Sequence, residues 1–207
     1  FLISFITNII GPLIPDIIKS FNLSLTAAGI LPFSFFIAYG LFSLPSGYLI
    51  EFYGEKKIII IGLLISLIGS LFFSLYTNYF SGIVSLLLIG TGMAILQVTI
   101  NPLLRSMTNA ENFAFFSIMG QFFFGLASFF SPIFYVEILS NKVISFIYNF
   151  NPKWIVIYWT FSIISLLLIF IISISKFPIK KHKEEKIEFD TLINILNNKW
   201  SYLYFFG

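Results

Sequence analysis

Residues 94–105 read AILQVTINPLLR. An otherwise apolar run holds two amides, Gln97 and Asn101, one helical turn apart. Pro102 follows the second amide, and Arg105 closes the run. The apolar stretch reaches back to about residue 80, so it is long enough to cross a bilayer core of ~30 Å at ~1.5 Å per residue. Five comparable stretches flank it, at about 1–19, 27–50, 58–76, 112–138 and 154–176. Their lack of alternation excludes a barrel, because lipid leaves only helices or closed barrels with a satisfied backbone. The fold class expected is an all-α membrane protein with six transmembrane helices.

Composition agrees. The 207 residues are 58% hydrophobic and 10% charged, with a mean hydropathy of +0.96. A soluble domain carries about 25% charge, far more than is available here to coat a globule. There are no cysteines and one histidine, His182. Disulfides, thiol nucleophiles and cysteine-based zinc sites are therefore excluded. The histidine lies among lysines, and no cofactor or metal is expected. Five of the twelve basic residues fall in KFPIKKHKEEK, residues 176–186. This is the pattern of one cytoplasmic loop, not of a nucleic-acid surface.

The remaining basic residues set the orientation. Lys56, Lys57, Arg105, Lys199 and the 176–186 cluster fall on one side; Lys19, Lys142 and Lys153 fall on the other. The richer side is expected in the cytoplasm of a multi-pass protein of the cell's inner or plasma membrane. Tyr79, Phe80, Trp154, Tyr158 and Trp159 are expected near the outer boundary. Residues 177–199 read as a charged cytoplasmic linker, and 200–207 as the start of a seventh span. The chain starts without Met and stops inside an apolar run, so it is read as part of a longer chain.

Polar groups at membrane depth face a bundle interior or a substrate path. Gln97 and Asn101 share a helical face, and Pro102 leaves a backbone carbonyl without its usual donor. Amides both donate and accept, as hydroxyls of a neutral polyol do. The two amides either bind such a solute or join helices, the latter worth about 1–2 kcal/mol or less. Asn8 in the first span and Gln121 in the fifth carry the same alternatives. Arg105 reads as an interface anchor.

GYLIEFYGEKK, residues 47–57, joins the second and third spans. Gly47 permits close helix approach, and Glu51 is placed to accept from free N–H groups at a neighbouring helix end. Gly54 suits a reversal needing positive φ, and Lys56 marks the inner side. This glycine–acid–glycine–basic spacing resembles the loop between helices two and three of the major facilitator superfamily. Glu51 and Phe52 replace that loop's usual acid and arginine. Residues 94–105, NFAFFSIMGQFFFGLASFFSPI at 112–133, FSFFIAYGLFSLPSG at 33–47 and ISKFP at 174–178 resemble, in order, parts of its fucose/glucose/galactose permease branch.

The resemblance implies that 1–176 is the N-terminal six-helix bundle of a transporter of about twelve helices. The C-terminal half would follow. Implied partners are the lipid bilayer and a monosaccharide such as a hexose, with transport either coupled to a proton or sodium ion or facilitative. It also implies that helices one, two, four and five border the cavity. The branch's proton-coupling carboxylates on helices one and four fall at Gly11 and Gln97, so both are absent here. Span three is nearly featureless. An enzyme is not expected, because no intramembrane acid, His pair or Ser–His arrangement occurs. The alternative to a transporter is a non-transporting scaffold or sensor, or a degenerate half-transporter.

Overall fold

The structure is a computed structural model that describes residues 1–140 and 152–177. The expectations for a linker at 177–199 and a seventh span at 200–207 lie outside the described residues, Phe177 excepted. Six helices are long and apolar enough to cross a membrane. They are α1 (Leu2–Phe21), α2 (Leu25–Tyr53), α3 (Glu55–Leu75), α4 (Tyr79–Met107), α5 (Ala110–Ser140) and α6 (Val156–Ile174). A single 3-10 turn, Lys153–Ile155, leads into α6.

Local chemistry sets the boundaries. Asn22 takes the left-handed conformation (φ 50) that ends α1, as asparagine does more readily than most residues. Ser24 caps α2 by accepting from the Ala27 N–H at 3.2 Å. Gly54 alone separates α2 from α3 at φ 77, where a side chain would be strained. Asn78 and Ser81 form a reciprocal capping box at the start of α4, satisfying two free donors. Pro12, Pro15, Pro32, Pro45, Pro102 and Pro132 all lie inside helices that continue past them.

Helix α4 is the hub. It packs against α2 on one side and α3 on the other, while α3 carries α6 and α1 lies along α5. The core draws on α1 to α4 through Leu13, Leu31, Phe35, Leu63, Phe73, Ile89 and Met93. Span three is not featureless. Gly62, Ser66, Gly69 and Ser70 form its buried stripe. The Ser85 hydroxyl donates to the Gly69 carbonyl at 2.6 Å, and Ser70 bonds Ser162 of α6 at 2.6 Å. Trp154 and Tyr158, at the start of α6, are buried inside the bundle against Phe73. The Trp154 indole N–H finds its partner in the Ser20 hydroxyl at the end of α1, at 2.8 Å, as a buried indole requires.

The 47–57 segment works differently from its sequence reading. A Cβ on Gly47 would meet Val98 only at 3.8 Å, an ordinary contact, so close helix approach does not depend on this glycine. Glu51 is exposed and reaches no helix end among the described residues. The helix-end interaction comes from Lys56, whose ammonium donates to the carbonyls of Ser173 and Ser175, both at 2.8 Å. These carbonyls end α6 and lack intrahelical donors, and a cation there also meets the negative end of the helix dipole. Lys56→Met is expected to lower the thermal midpoint of the purified protein by an amount equivalent to about 1–2 kcal/mol. Lys57→Met, at an exposed neighbour, should not. Equal melting of the two variants would remove the latch.

Candidate functional site

The site is built on the inner half of α4. Pro102 has no N–H, so the Val98 carbonyl one turn back has no helical donor. Gln97 is half-buried beside that interruption. Its Oε1 is buried and has no hydrogen-bond partner among the described residues. An orphaned acceptor at membrane depth is costly unless something supplies a donor. Asn101 stands one turn further on and is exposed. Arg105, a turn beyond, is exposed and lies over the Phe113 ring of α5 at 5.6 Å.

That last contact fixes the register of two antiparallel helices. Gln97 lies eight residues from Arg105, and Gln121 lies eight from Phe113, ~12 Å along each axis. Gln97 and Gln121 are therefore at one level, in the central part of helices of 29 and 31 residues. Gln121 is exposed and, like Asn101, makes no hydrogen bond among the described residues. The side chains around them leave room. A Cβ added at Gly120, Gly125 or Gly11 would meet nothing within 4 Å. Helices α5 and α2 are the least buried of the six, and α4 the most.

Asn8 lies elsewhere. Its amide donates to the Ser128 hydroxyl at 2.7 Å and to the Ser4 carbonyl at 2.8 Å. Ser4 in turn donates to the Phe124 carbonyl, and Ser131 to the Phe5 carbonyl, both at 2.8 Å. Tyr135 donates to Asp16 at the far end of the same seam. Asn8 is thus part of a polar seam joining α1 to α5, and its amide nitrogen is committed to that seam. The pattern was visible as Ser and Asn residues at helical spacing, but only the pairing shows which face they occupy. Of the four amides singled out by sequence, the structure leaves Asn101 and Gln121 exposed and Gln97 half-buried on α4, and sets Asn8 on the α1–α5 contact.

The acidic residues bear on chemistry. Asp16, Glu51, Glu55, Glu111 and Glu137 all lie near helix ends. No group of three or more metal-ligating side chains occurs among the described residues.

Comparison with known proteins places this arrangement. Two glucose/galactose transporters from strains of Brucella abortus are 32% identical over 137 residues, covering 65% of this chain and 33% of each relative. The matched part thus spans about a third of those proteins. The crystal structure of an E. coli fucose:proton symporter superimposes with a TM-score of 0.70 at 22% identity, covering 96% of this chain and 55% of that one. A second structure, of a transporter in the outward conformation, gives 0.66 at 20% identity, covering 95% and 55%. At these identities the two structures establish the fold. The family model of the Major Facilitator Superfamily matches residues 1–206, and the chain belongs to that superfamily.

Proposed function

We propose that this chain is a six-helix half of a membrane transporter for a small neutral solute, a monosaccharide and specifically a hexose. Solute would bind between this bundle, residues 1–176, and a second one, and would cross by alternating access. The observation that carries this reading is Gln97: an amide oxygen that is buried and has no donor among the described residues, on the central helix, beside a proline-interrupted backbone. Amide groups match sugar hydroxyls. The similarity to glucose/galactose transporters supports a hexose. The least buried helices, α2 and α5, provide the side on which a second bundle would sit.

Gly11 and Gln97 occupy the positions where the resemblance puts proton-coupling carboxylates. A proton relay needs a titratable group, so this half is assigned solute binding, and any driving proton or sodium ion belongs to groups elsewhere. The Lys56 and Arg105 ends, with the 177–199 linker, are assigned to the cytoplasm of an inner or plasma membrane.

The test is uptake of labelled glucose and galactose by the intact protein in proteoliposomes. Saturable uptake is expected, with competition between the two hexoses and exchange across the membrane without net flux. Folded protein that neither binds nor exchanges any hexose would overturn the reading.

A further inference from the structure

Two kinds of contact hold the helices together, and they divide the bundle. Helix α1 meets α5 through hydrogen bonds. Ser4 donates to the Phe124 carbonyl and Asn8 to the Ser128 hydroxyl. Ser131 donates back to the Phe5 carbonyl, and Tyr135 to Asp16. The α5 partners 124, 128, 131 and 135 fall on one helical stripe, so the two helices run parallel as a zipped pair. The other four helices are locked in their own way. Gly90 and Gly92 let α4 press on backbone carbonyls of α2 and α3. Ser85 bonds α4 to α3, and Ser70 bonds α3 to α6. Lys56 ties α3 to the end of α6.

Between the pair and this block the contact is different. Ile6, Ile9 and Ile10 of α1 lie against Leu86 and Ile89 of α4 and Phe161 of α6. A void of about 10 Å³ sits among them, and its apolar lining keeps it dry. Atoms facing a void lose part of their dispersion attraction, and apolar contacts fix no register as hydrogen bonds do. Among the described residues, the pair is tied to the block at two places. At the carboxyl end of α1, the turn 22–24 leads into α2, and Trp154 donates to Ser20 and meets the Phe21 ring edge-on. At the amino end of α5, residues 108–109 join it to α4, and Arg105 lies over Phe113. Because α1 and α5 run parallel, these ties stand at opposite ends of the pair. A rigid body held at two points can turn only about the line through them.

We infer that α1 and α5 form a hydrogen-bonded lever that rocks as one unit against the α2–α3–α4–α6 block, about the line joining the two ties. The isoleucine face is the surface over which it shears, and the void gives the side chains room to pass. The lever's use in transport rests on the transporter reading above; the division into two bodies does not. In that use the six helices change shape among themselves instead of moving whole. Helix α5 is also among the least buried, so its motion reaches whatever second bundle sits there.

The sequence has no cysteine, so introduced pairs report alone. A Cβ at Gly11 on α1, Gly125 on α5 or Gly40 on α2 meets nothing within 4 Å, which leaves space for spin labels. In the intact protein in proteoliposomes, Gly11→Cys with Gly125→Cys should give one narrow distance distribution. Gly11→Cys with Gly40→Cys should give a broader one. Equal widths, or a wider spread within the pair, would overturn the inference.

Bridges test the consequence for transport. Joining Ser4→Cys to Ser128→Cys, where the hydroxyls stand 3.1 Å apart, should leave glucose uptake intact. Joining Ile10→Cys to Ile89→Cys across the shear face should abolish uptake until a reductant is added. Uptake that survives the second bridge, or is lost to the first, would also overturn the lever. If the isoleucine variants do not fold, the label widths decide. Absence of uptake by the wild-type protein would remove the transporter reading instead, with the label widths still testing the two bodies.

Discussion

Leucine at Gly90 or Gly92 is expected to leave no folded protein in the membrane, and alanine to reduce it severely. A Cβ on Gly90 would stand 2.3 Å from the carbonyl oxygen of Phe35 on α2. A Cβ on Gly92 would stand 2.4 Å from the carbonyl oxygen of Gly62 on α3 and 1.9 Å from the Ser66 hydroxyl. The hydroxyl can rotate away, but a helix carbonyl cannot. Two residues along a helix turn it by ~200°, so the two glycines face opposite neighbours. Helix α4 is wedged, and moving it to relieve one clash does not relieve the other.

Overpacking a well-packed core typically costs about 1–3 kcal/mol. Here whole backbones must separate, and membrane helices associate largely through such packing. The matched control is Gly40→Ala, where nothing lies within 4 Å and alanine is the better helix former. Yield of monodisperse protein and its melting temperature in detergent are the readouts. Gly90→Ala and Gly92→Ala proteins as abundant and as stable as Gly40→Ala would show that the α2–α4–α3 crossing is not held by these glycines.

The spans themselves were legible because length and unbroken hydropathy suffice to find them. The six sequence intervals and the six helices differ by one to three residues at their ends. Caps such as Ser24, Gly54 and Asn78 set several of those ends. The packing was not legible. In lipid both faces of a helix are apolar, so a glycine touching a neighbour and a glycine touching nothing read alike. Gly92, with a carbonyl pressed against it, and Gly40, with open space, differ only in the fold.

The same holds for the site. Gln97 stood out because an amide in an apolar run is conspicuous, whereas serines are common in membrane helices for many reasons. Ser117 reads in the sequence as one of several small or polar residues at near-helical spacing in the fifth span, and only the fold shows that, among the described residues, its buried hydroxyl has no partner. Asn8 illustrates the converse. Its composition suggested a cavity, and its partners Ser4 and Ser128 show a helix contact.

Gln97→Leu is expected to move function and stability in opposite directions. Among the described residues the buried Gln97 oxygen has no donor, a condition that costs about 1–3 kcal/mol. Leucine removes that penalty and keeps the bulk, so the variant should melt at or above the wild-type temperature. Hexose affinity should fall about tenfold, since the solute loses its acceptor and a hydroxyl of its own is left unpaired. A glutamine that merely joined helices would behave otherwise: its loss would lower stability and leave affinity alone. Gln97→Glu separates binding from proton chemistry. A neutral carboxyl can still donate and accept, but a carboxylate donates nothing and is expensive at membrane depth. Hexose uptake by that variant should therefore acquire a pH dependence, falling as pH rises, that wild-type protein does not draw from this position. If Gln97→Leu protein bound hexose as tightly as wild type, or melted well below it, the orphaned oxygen would not be the substrate's acceptor.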